Sequence, residues 1–480
     1  MNILYVNAGN AGSHGLESFL TSPPVALMSI SPTVPQHKKY LIDLKARPMP
    51  ADQVRRMISK ADLVAISSFT PSINNAIEIA GIAKQYQKPV VIGGYHASLV
   101  PDTALNPVFD IAVQNEGELT FPEIVGILER DGTWTPANLK DVLGISFKGA
   151  DGSLVINDRR PFIKNLDELP MPDRTLIGNT KYAYFGASVD LIESSRGCVG
   201  NCHFCCVTTH CGGVWRKKTP ERVVREIEEC NKGVKWIGYQ DSEFTINMNR
   251  CREISDLVID HGLDHFWYSA QARADDIMRD IKTFDRMVES GFRMLFIGIE
   301  SAFQASLDRI GKNIKVETIK NCVKECHDRG VTIFGAIIIG NLGETYDQVL
   351  KTIDYATKLN IDVMQFTALT PIPGTRLWDE AEEKGWIEDR DWTHFDFVHP
   401  VMRTPDLTRK QLAELVHKAY KDFYLGNGYG DYFWGRLPRF IANQNHWWFF
   451  KMLPDFMKNI GTIQQFVTDI ANPLNLNEIA

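Results

Sequence analysis

SSRGCVGNCHFCCV, residues 194–207, places three cysteines at C-x3-C-x2-C spacing: Cys198, Cys202 and Cys205. The stretch 191–195 reads as a strand before it. The pattern over 220–232, with Val223, Val224 and Ile227 on one face, reads as a helix after it. The cysteines therefore belong to a loop at the end of a strand. Thiolates are the usual ligands of [4Fe–4S] clusters, and four would saturate the irons. Three leave one iron open to a further group. The alternatives are a zinc site or three buried thiols, but zinc wants a second pair of ligands at matched spacing, and none is placed to supply it. Cys206 adjoins Cys205, cannot easily share its cluster corner, and reads as structural. An auxiliary cluster on Cys206, Cys211 or Cys230 is the lesser alternative. Cys322 and Cys326 fall on an apolar helical face and read as core.

Outward from this loop the chain alternates strand and helix. After it, strands are expected at 234–239, 265–270, 293–299, 331–339 and 362–368, with helices between; Ile319, Cys322, Val323 and Cys326 carry helical spacing. With the run at 191–195, this makes an incomplete β/α barrel, whose chemistry sits at the C-terminal ends of its strands. Before the loop, apolar runs at 2–6, 62–67, 89–92 and 110–113 flank helical stretches such as 73–86. That alternation predicts a doubly wound parallel sheet with ligands at the carboxyl ends of the strands. NLDELPMPDR at 165–174 reads as a linker. The fold class is α/β. A Rossmann-like domain is expected over 1–150, a linker over 151–185, a partial (β/α)6 barrel over 186–395, and a mainly helical, aromatic-rich cap over 396–480.

Composition narrows the class. The chain has 480 residues, 44% of them hydrophobic, and a net charge of −7. A mildly acidic chain is not built to grip a phosphate backbone, so no nucleic acid partner is expected. No basic n-region precedes an apolar stretch near Met1, and no window is apolar enough to span a bilayer. A cytoplasmic enzyme without a transmembrane segment is the expectation. The nine cysteines include six between Cys198 and Cys230 and none earlier, which is not a disulfide scaffold.

The cysteine loop resembles that of the radical S-adenosylmethionine (SAM) superfamily, with Gly197 before the first cysteine and Phe204 before the third. The resemblance implies that the open iron chelates SAM, which an electron from the cluster splits to a deoxyadenosyl radical. Further strand ends agree in order and spacing. Tyr239-Gln240-Asp241-Ser242-Glu243-Phe244 is similar to the family's acidic motif for the SAM amino group; Asp241 and Glu243 share a face, and either fits that role. Gln271 and Arg273 share the next strand end, where Arg273 suits the SAM carboxylate. Gly298-Ile299-Glu300-Ser301 resembles the ribose element. Gly340-Asn341-Leu342-Gly343-Glu344-Thr345 and Thr370-Pro371-Ile372-Pro373-Gly374-Thr375 resemble two later turns, with Leu342 in place of a proline.

Upstream, Gly93-Gly94-Tyr95-His96 and Glu116-Gly117 look like the cobalamin-binding domain fused to many radical SAM enzymes; Ser67 and Ser68 end a neighbouring strand. Small residues let backbone approach a flat corrin. No D-x-H-x-x-G motif is present, so neither His14 nor His96 is expected to ligate cobalt. The methylthiotransferases, whose N-terminal domain binds a second cluster, are excluded by the absence of cysteine before Cys198. The resemblance covers about 1–395 and implies a cobalamin-dependent radical SAM C-methyltransferase of class B type. Its cofactors would be a [4Fe–4S] cluster, SAM and cobalamin. A methyl would pass from SAM through methylcobalamin to an unactivated sp3 carbon, with an external low-potential electron donor. The expected substrate is a peptide or protein residue, as in methyl-coenzyme M reductase, or a small molecule. The alternatives are an anaerobic cyclase or oxidative enzyme, and a hopanoid-type lipid methylase, which the aromatic tail (Trp434, Trp447, Trp448, Phe449, Phe450) would suit.

Overall fold

The computed structural model describes residues 1–9, 20–426 and Trp448. The chain divides into two compact units with the boundary between Tyr182 and Ala183; Leu20–Thr21 goes with the second. The strands, in chain order, are β1 Asn2–Asn7, β2 Leu20–Thr21, β3 Lys38–Asp43, β4 Leu63–Ser67, β5 Val90–Gly93, β6 Ile111–Val113, β7 Ile145–Lys148 and β8 Leu154–Ile156 in the first half. They continue as β9 Ala183–Tyr184, β10 Ala187–Ile192, β11 Ser195–Arg196, β12 Arg216–Lys217, β13 Trp236–Tyr239, β14 Trp267–Ala272, β15 Phe292–Glu300, β16 Thr332–Ile339 and β17 Val363–Ala368.

The first unit is built on a seven-stranded sheet ordered β3-β1-β4-β5-β6-β7-β8. Strands β3, β1, β4, β5 and β6 run parallel, and β7 and β8 add an antiparallel edge. Chain order reverses on either side of β1, so the topological switch point lies between the C-terminal ends of β1 and β4. Ile3, Tyr5, Ala65, Val91 and Ile111 pack against Phe121, Ile124 and Leu128 of the helix Gly117–Asp131, covering one face of the sheet. The four strands expected here are β1, β4, β5 and β6. Strand β3 was not anticipated, because its outer half (Lys38, Lys39, Tyr40) is half-exposed and carries no apolar run.

The stretch 151–185, expected as a linker, differs from that reading. Leu154–Ile156 forms the sheet's last strand. Arg160 donates to Thr120 Oγ1 (2.8 Å), Ile163 N donates to Glu116 Oε2 (2.8 Å), and Tyr182 Oη donates to Asp43 Oδ2 (2.8 Å). Groups that read as loop are hydrogen-bonded to β3, to the helix Gly117–Asp131 and to the residue before it.

In the second unit the order β17-β16-β15-β14-β13-β10 follows the chain without reversal, and every neighbouring pair is parallel. This is the partial (β/α)6 barrel, extended by the short antiparallel strands β9 and β2. The first barrel strand ends at Ile192, earlier than expected. Ser194 N is drawn instead to Asp241 Oδ1 (2.7 Å), and Ser195–Arg196 pairs with Arg216–Lys217 as a small hairpin flanking the cysteine loop. The helix expected over 220–232 is Pro220–Glu228, and Gly233 turns at φ +90 beyond it.

Of the C-terminal region, the helix Arg409–Tyr424 seals the open edge of the barrel. Tyr424 Oη accepts from Met364 N (2.8 Å) and donates to Met364 O (2.7 Å), and Phe366 N donates to Tyr420 Oη (3.3 Å). Tyrosine hydroxyls thus serve the backbone groups of β17 that a further strand would pair. Trp448 lies edge-on to Trp236 (5.9 Å between rings), contacts Trp267 (5.7 Å), and donates to Gly330 O (2.9 Å). Trp236 and Trp267 begin their strands, so Trp448 packs at the end of the barrel opposite the cysteine loop. Trp434, Trp447, Phe449 and Phe450 lie outside the described residues.

Candidate active site

The cysteine loop leaves β10 and is held from three sides. Gly197 (φ +91) passes so close to the hairpin that a Cβ would sit 2.1 Å from Val214 O, which requires glycine. His203 N donates to Ile310 O (2.9 Å), and Leu377 N donates to His203 O (3.2 Å). Thr209 Oγ1 donates to Gly374 O (2.7 Å), and Arg376 donates to Asn201 O. The Thr370–Thr375 turn is therefore a clamp on the loop. Phe204, expected beside SAM, packs with Ile338, Leu342, Leu369, Leu377 and Met402, and its ring anchors the loop in the barrel wall.

Cys198, Cys202 and Cys205 are free and half-buried. Burial pushes the Cys205 thiol up to about 12 and Cys206 to about 11, and also raises Cys198 and Cys202. Thiolates at this site need cationic partners, which irons supply. Gly200 N donates to Cys198 Sγ (3.3 Å), and a Cβ on Gly200 would press on that sulfur. Among the described residues, no three His, Cys, Asp or Glu side chains gather around one ion position. A cubane does not require it, because each thiolate meets a different iron. The donor set fits a cluster.

The two candidate acids separate. Asp241 is fully buried and engaged through both oxygens, accepting from Ser194 N (2.7 Å), Ser194 Oγ (2.6 Å) and Ser195 Oγ (2.5 Å). It ties β13 to the root of the cysteine loop. Arg250, also buried, completes this brace by donating to Ser194 O (2.7 Å). Glu243 bonds only locally, through Oε1, to Thr245 N (2.8 Å) and Thr245 Oγ1 (2.5 Å). Burial holds its carboxyl up to about 7, against the favourable bonds from Thr245, and its charge is felt at Cys198.

Beyond them lies a buried charged chain. Arg273 is forked onto Asp275 (3.0 and 3.0 Å) and donates to Lys312 O (3.0 Å). Lys312 Nζ donates to Glu300 Oε1 (2.7 Å), and both Lys312 and Arg273 act electrostatically on Cys202. A Cβ on Gly298 would fall 2.2 Å from Glu300 Oε1 and 2.4 Å from Lys312 Nζ, so that glycine leaves room for the pair. Glu300 has φ +64, an uncommon conformation for a side-chain-bearing residue, and Asn341 Nδ2 donates to its carbonyl (3.3 Å). Ser301 Oγ is engaged, donating to buried Glu344 Oε1 (2.5 Å). Gln271 is exposed at the end of β14. Lys312 was missed by sequence reading, because it comes from a loop between helices that only the fold brings to the strand ends.

At the C-terminal edge of the first sheet, β4 ends in Ser67 and β5 in Gly93, paired in register. Gly94 (φ +97) would carry a Cβ 2.6 Å from Ser68 O, so this glycine is demanded by the sheet itself. Ser68 is buried, its hydroxyl bonded to Phe69 O (2.9 Å) and Ser72 Oγ (3.0 Å). His96 is buried against Thr70 Oγ1 (3.3 Å), and burial lowers it to about 4. His14 lies outside the described residues. Tyr95 is half-buried and stacks on Phe69 at 5.6 Å. Phe69, which the sequence reading passed over, is 53% exposed, while its backbone is locked by Ser72. Glu116 spends Oε2 on Ile163 N (2.8 Å), and Gly117 opens the helix behind it. An exposed Phe69 stacked on half-buried Tyr95, beside small strand ends, fits a flat macrocycle.

Residues 192–375 match the radical SAM superfamily and residues 16–125 the B12 binding domain. The chain is 35% identical over 414 residues to a protein of Pyrococcus horikoshii named as the uncharacterized methyltransferase PH0819, covering 84% of this chain and 88% of that one. It is 28% identical to the anaerobic magnesium-protoporphyrin IX monomethyl ester cyclase of Rubrivivax gelatinosus, over 82% of this chain and 71% of the cyclase. The solved structure of OxsB, a cobalamin-dependent SAM radical enzyme with aqua-cobalamin and SAM bound, superposes with a TM-score of 0.69 at 17% identity, covering 88% of this chain and 66% of that one. A three-cysteine loop on a partial barrel, in one chain with a B12 binding domain, defines a class of two-cofactor radical enzymes. This chain belongs to the cobalamin-dependent radical SAM family, methyltransferase type, with a [4Fe–4S] cluster, SAM and cobalamin as its cofactors.

Proposed function

We propose that the protein is a C-methyltransferase acting on an unactivated sp3 carbon. The observation that carries this reading is a loop with three cysteine donors in the same chain as a B12 binding domain whose strand ends carry a stacked aromatic pair. When bound, the cluster and SAM supply hydrogen abstraction, and cobalamin supplies the methyl group.

The chain's own residues divide the work. Cys198, Cys202 and Cys205 hold the cluster. Glu243 takes the SAM ammonium, since both oxygens of Asp241 are already engaged by Ser194 and Ser195. Lys312 takes the SAM carboxylate, since Arg273 is committed to Asp275; Glu300, released from Lys312, turns to the ribose. Gln271 is exposed to contact the same ligand. Ser301 supports Glu344 rather than SAM. On the first sheet, Phe69 and Tyr95 carry the corrin, Gly93 lets it approach, and Ser67 meets its nucleotide tail.

The substrate we favour is a water-compatible one, a peptide residue or a small molecule. The tail tryptophan described here, Trp448, is buried among Trp236 and Trp267 rather than offered to a bilayer, and no helix among the described residues is long and apolar enough to cross a membrane. Relatives include a cyclase, so product mass is the deciding test. Anaerobic reconstitution with iron, sulfide and hydroxocobalamin, followed by turnover with SAM and candidate substrates, should yield a product heavier by one CH2. Loss of hydrogen or gain of oxygen would establish the cyclase-type alternative.

A further inference from the structure

A parallel sheet covered on both faces buries its inner strands. Strand β16 departs from this at one place: Ala336, in mid-strand, is partly exposed, while every other residue of Thr332–Ile339 is buried. The face that opens there is the inside of the barrel. On β17, Phe366 packs against Tyr420 and Phe423 of the helix Arg409–Tyr424 (5.4 and 5.8 Å between rings), so Gln365 and Thr367 lie on the opposite, inner face. Register carries one row across three strands on that face, from Gly298 to Ala336 to Gln365. At one end of the row the Lys312–Glu300 pair lies over Gly298. At the other end stands Gln365. Neighbouring strands are about 4.8 Å apart, so Gly298 and Gln365 flank a trough about 10 Å wide over Ala336. The row beneath is aromatic: Phe296 and Phe334 pair in register with rings 5.0 Å apart, and Phe334 is buried.

Gln365 is half-buried, and among the described residues its carboxamide has no hydrogen-bonding partner. Thr367, next on the same face, already donates to Ile337 O (3.3 Å). Lys312 and Glu300 are paired with each other, and the other inner positions of β16 and β17 around the trough, Phe334, Ile338 and Val363, carry no charge. The trough therefore offers an aromatic floor and one neutral group that both donates and accepts. We propose that Gln365 is a specificity-determining residue that pairs with a neutral amide of the substrate, while Phe296 holds the adjoining aliphatic carbons. An amide bearing N–H answers both the Nε2 donor and the Oε1 acceptor of Gln365; an ester answers the donor alone. The inference rests on the methyltransferase reading for the barrel's role as substrate site, and adds the chemistry by which the substrate is chosen.

The test uses the full-length protein reconstituted with cluster, cobalamin and SAM, and reads binding by equilibrium dialysis. The probes are N-acetyl amino acid N-methylamides, which carry peptide amides, and short aliphatic primary carboxamides. Each is compared with the methyl ester of the same skeleton. Wild type should bind members of one set about tenfold more tightly than their esters, the scale of one partly desolvated hydrogen bond. Which set does so separates a peptide from a free carboxamide. Gln365→Leu should erase the preference while iron, cobalt and SAM affinity hold, a pattern that a folding defect does not give. Ala336→Leu fills the trough with Gln365 in place, and should weaken amide and ester alike by about tenfold. Equal binding of amides and esters by wild type, binding of neither set, or a preference that survives Gln365→Leu would overturn the proposal. Product mass keeps the two readings apart. An amide preference with products that lose hydrogen leaves Gln365 assigned and removes the methyltransferase reading; a gain of CH2 on a molecule bound without that preference does the reverse.

Discussion

The strand ends of the barrel and those of the first sheet solve the ligand problem in opposite ways. At the barrel, most polar residues of the motifs face one another. Asp241 holds Ser194 and Ser195, Ser301 holds Glu344, Arg273 holds Asp275, and Gly374 with Arg376 holds the cysteine loop. Few side chains remain for a ligand, chiefly Glu243, Gln271 and the Lys312–Glu300 pair. At the first sheet the polar groups are also internal, but the surface offered is an exposed Phe69 stacked on half-buried Tyr95. A charged, bidentate ligand is met by a few preset charges on a stiff frame. A broad, flat one is met by apolar area. A motif acid is therefore not by that fact a ligand; its bonds decide.

The sharpest break in the comparison comes from the cluster itself. Cys198→Ala should reduce iron from about four per chain to near zero and abolish deoxyadenosine formation, while cobalamin binding to the first unit persists; metal analysis reads both. Next is the frame. Asp241→Asn leaves serine donors facing an amide in a fully buried site and should cost about 2–3 kcal/mol of stability. The measurement is thermal unfolding alongside SAM affinity in the fraction that keeps its cluster. A variant with full stability and weakened SAM binding would make Asp241 the ligand instead.

Lys312→Met should weaken SAM binding about tenfold, as expected for loss of one charge-assisted contact, whereas Lys312→Arg should recover part of it; equilibrium dialysis of the reconstituted enzyme is the check. Glu243 adds a pH signature. Its carboxyl titrates at about 7 in the folded chain because of burial, above the ordinary value of about 4.3. The folded state therefore binds the extra proton between those values, and this group's contribution to stability falls as pH rises through that window. An ammonium pairs with the carboxylate form, so SAM affinity should climb from pH 6 to 8 and level off, and Glu243→Gln should flatten the climb. The smallest effect belongs to the other region. Phe69→Ala should weaken cobalamin binding about five- to tenfold, equivalent to about 1 kcal/mol or slightly more for an aromatic contact, with iron content unchanged.

Much of this was readable from the chain. The C-x3-C-x2-C spacing, the strand runs and the order of the later turns are local features, and local periodicity fixes which residues can form strands and where a loop must follow. The match of expected to observed barrel strands within a few residues reflects their double-sided burial, which leaves long apolar runs in the sequence. Glycine positions were readable for a related reason: Gly94 and Gly197 have conformations and close approaches that other residues cannot adopt.

What the sequence could not settle was partnership. Asp241 and Glu243 lie two residues apart just beyond β13 and look equivalent in the chain. Only the fold brings Ser194 and Ser195 onto one and leaves the other with Thr245 alone. The packing of Phe204 against the barrel wall is not legible in the chain, and 151–185 reads as a linker until its groups bond to the first unit. Lys312 carries no motif, and long-range packing alone sets it against Glu300 and near Cys202. Local pattern determines which groups reach the strand ends, because it follows from backbone geometry. Hydrogen bonds and charge pairs between residues distant in the chain determine which of those groups remain available for chemistry.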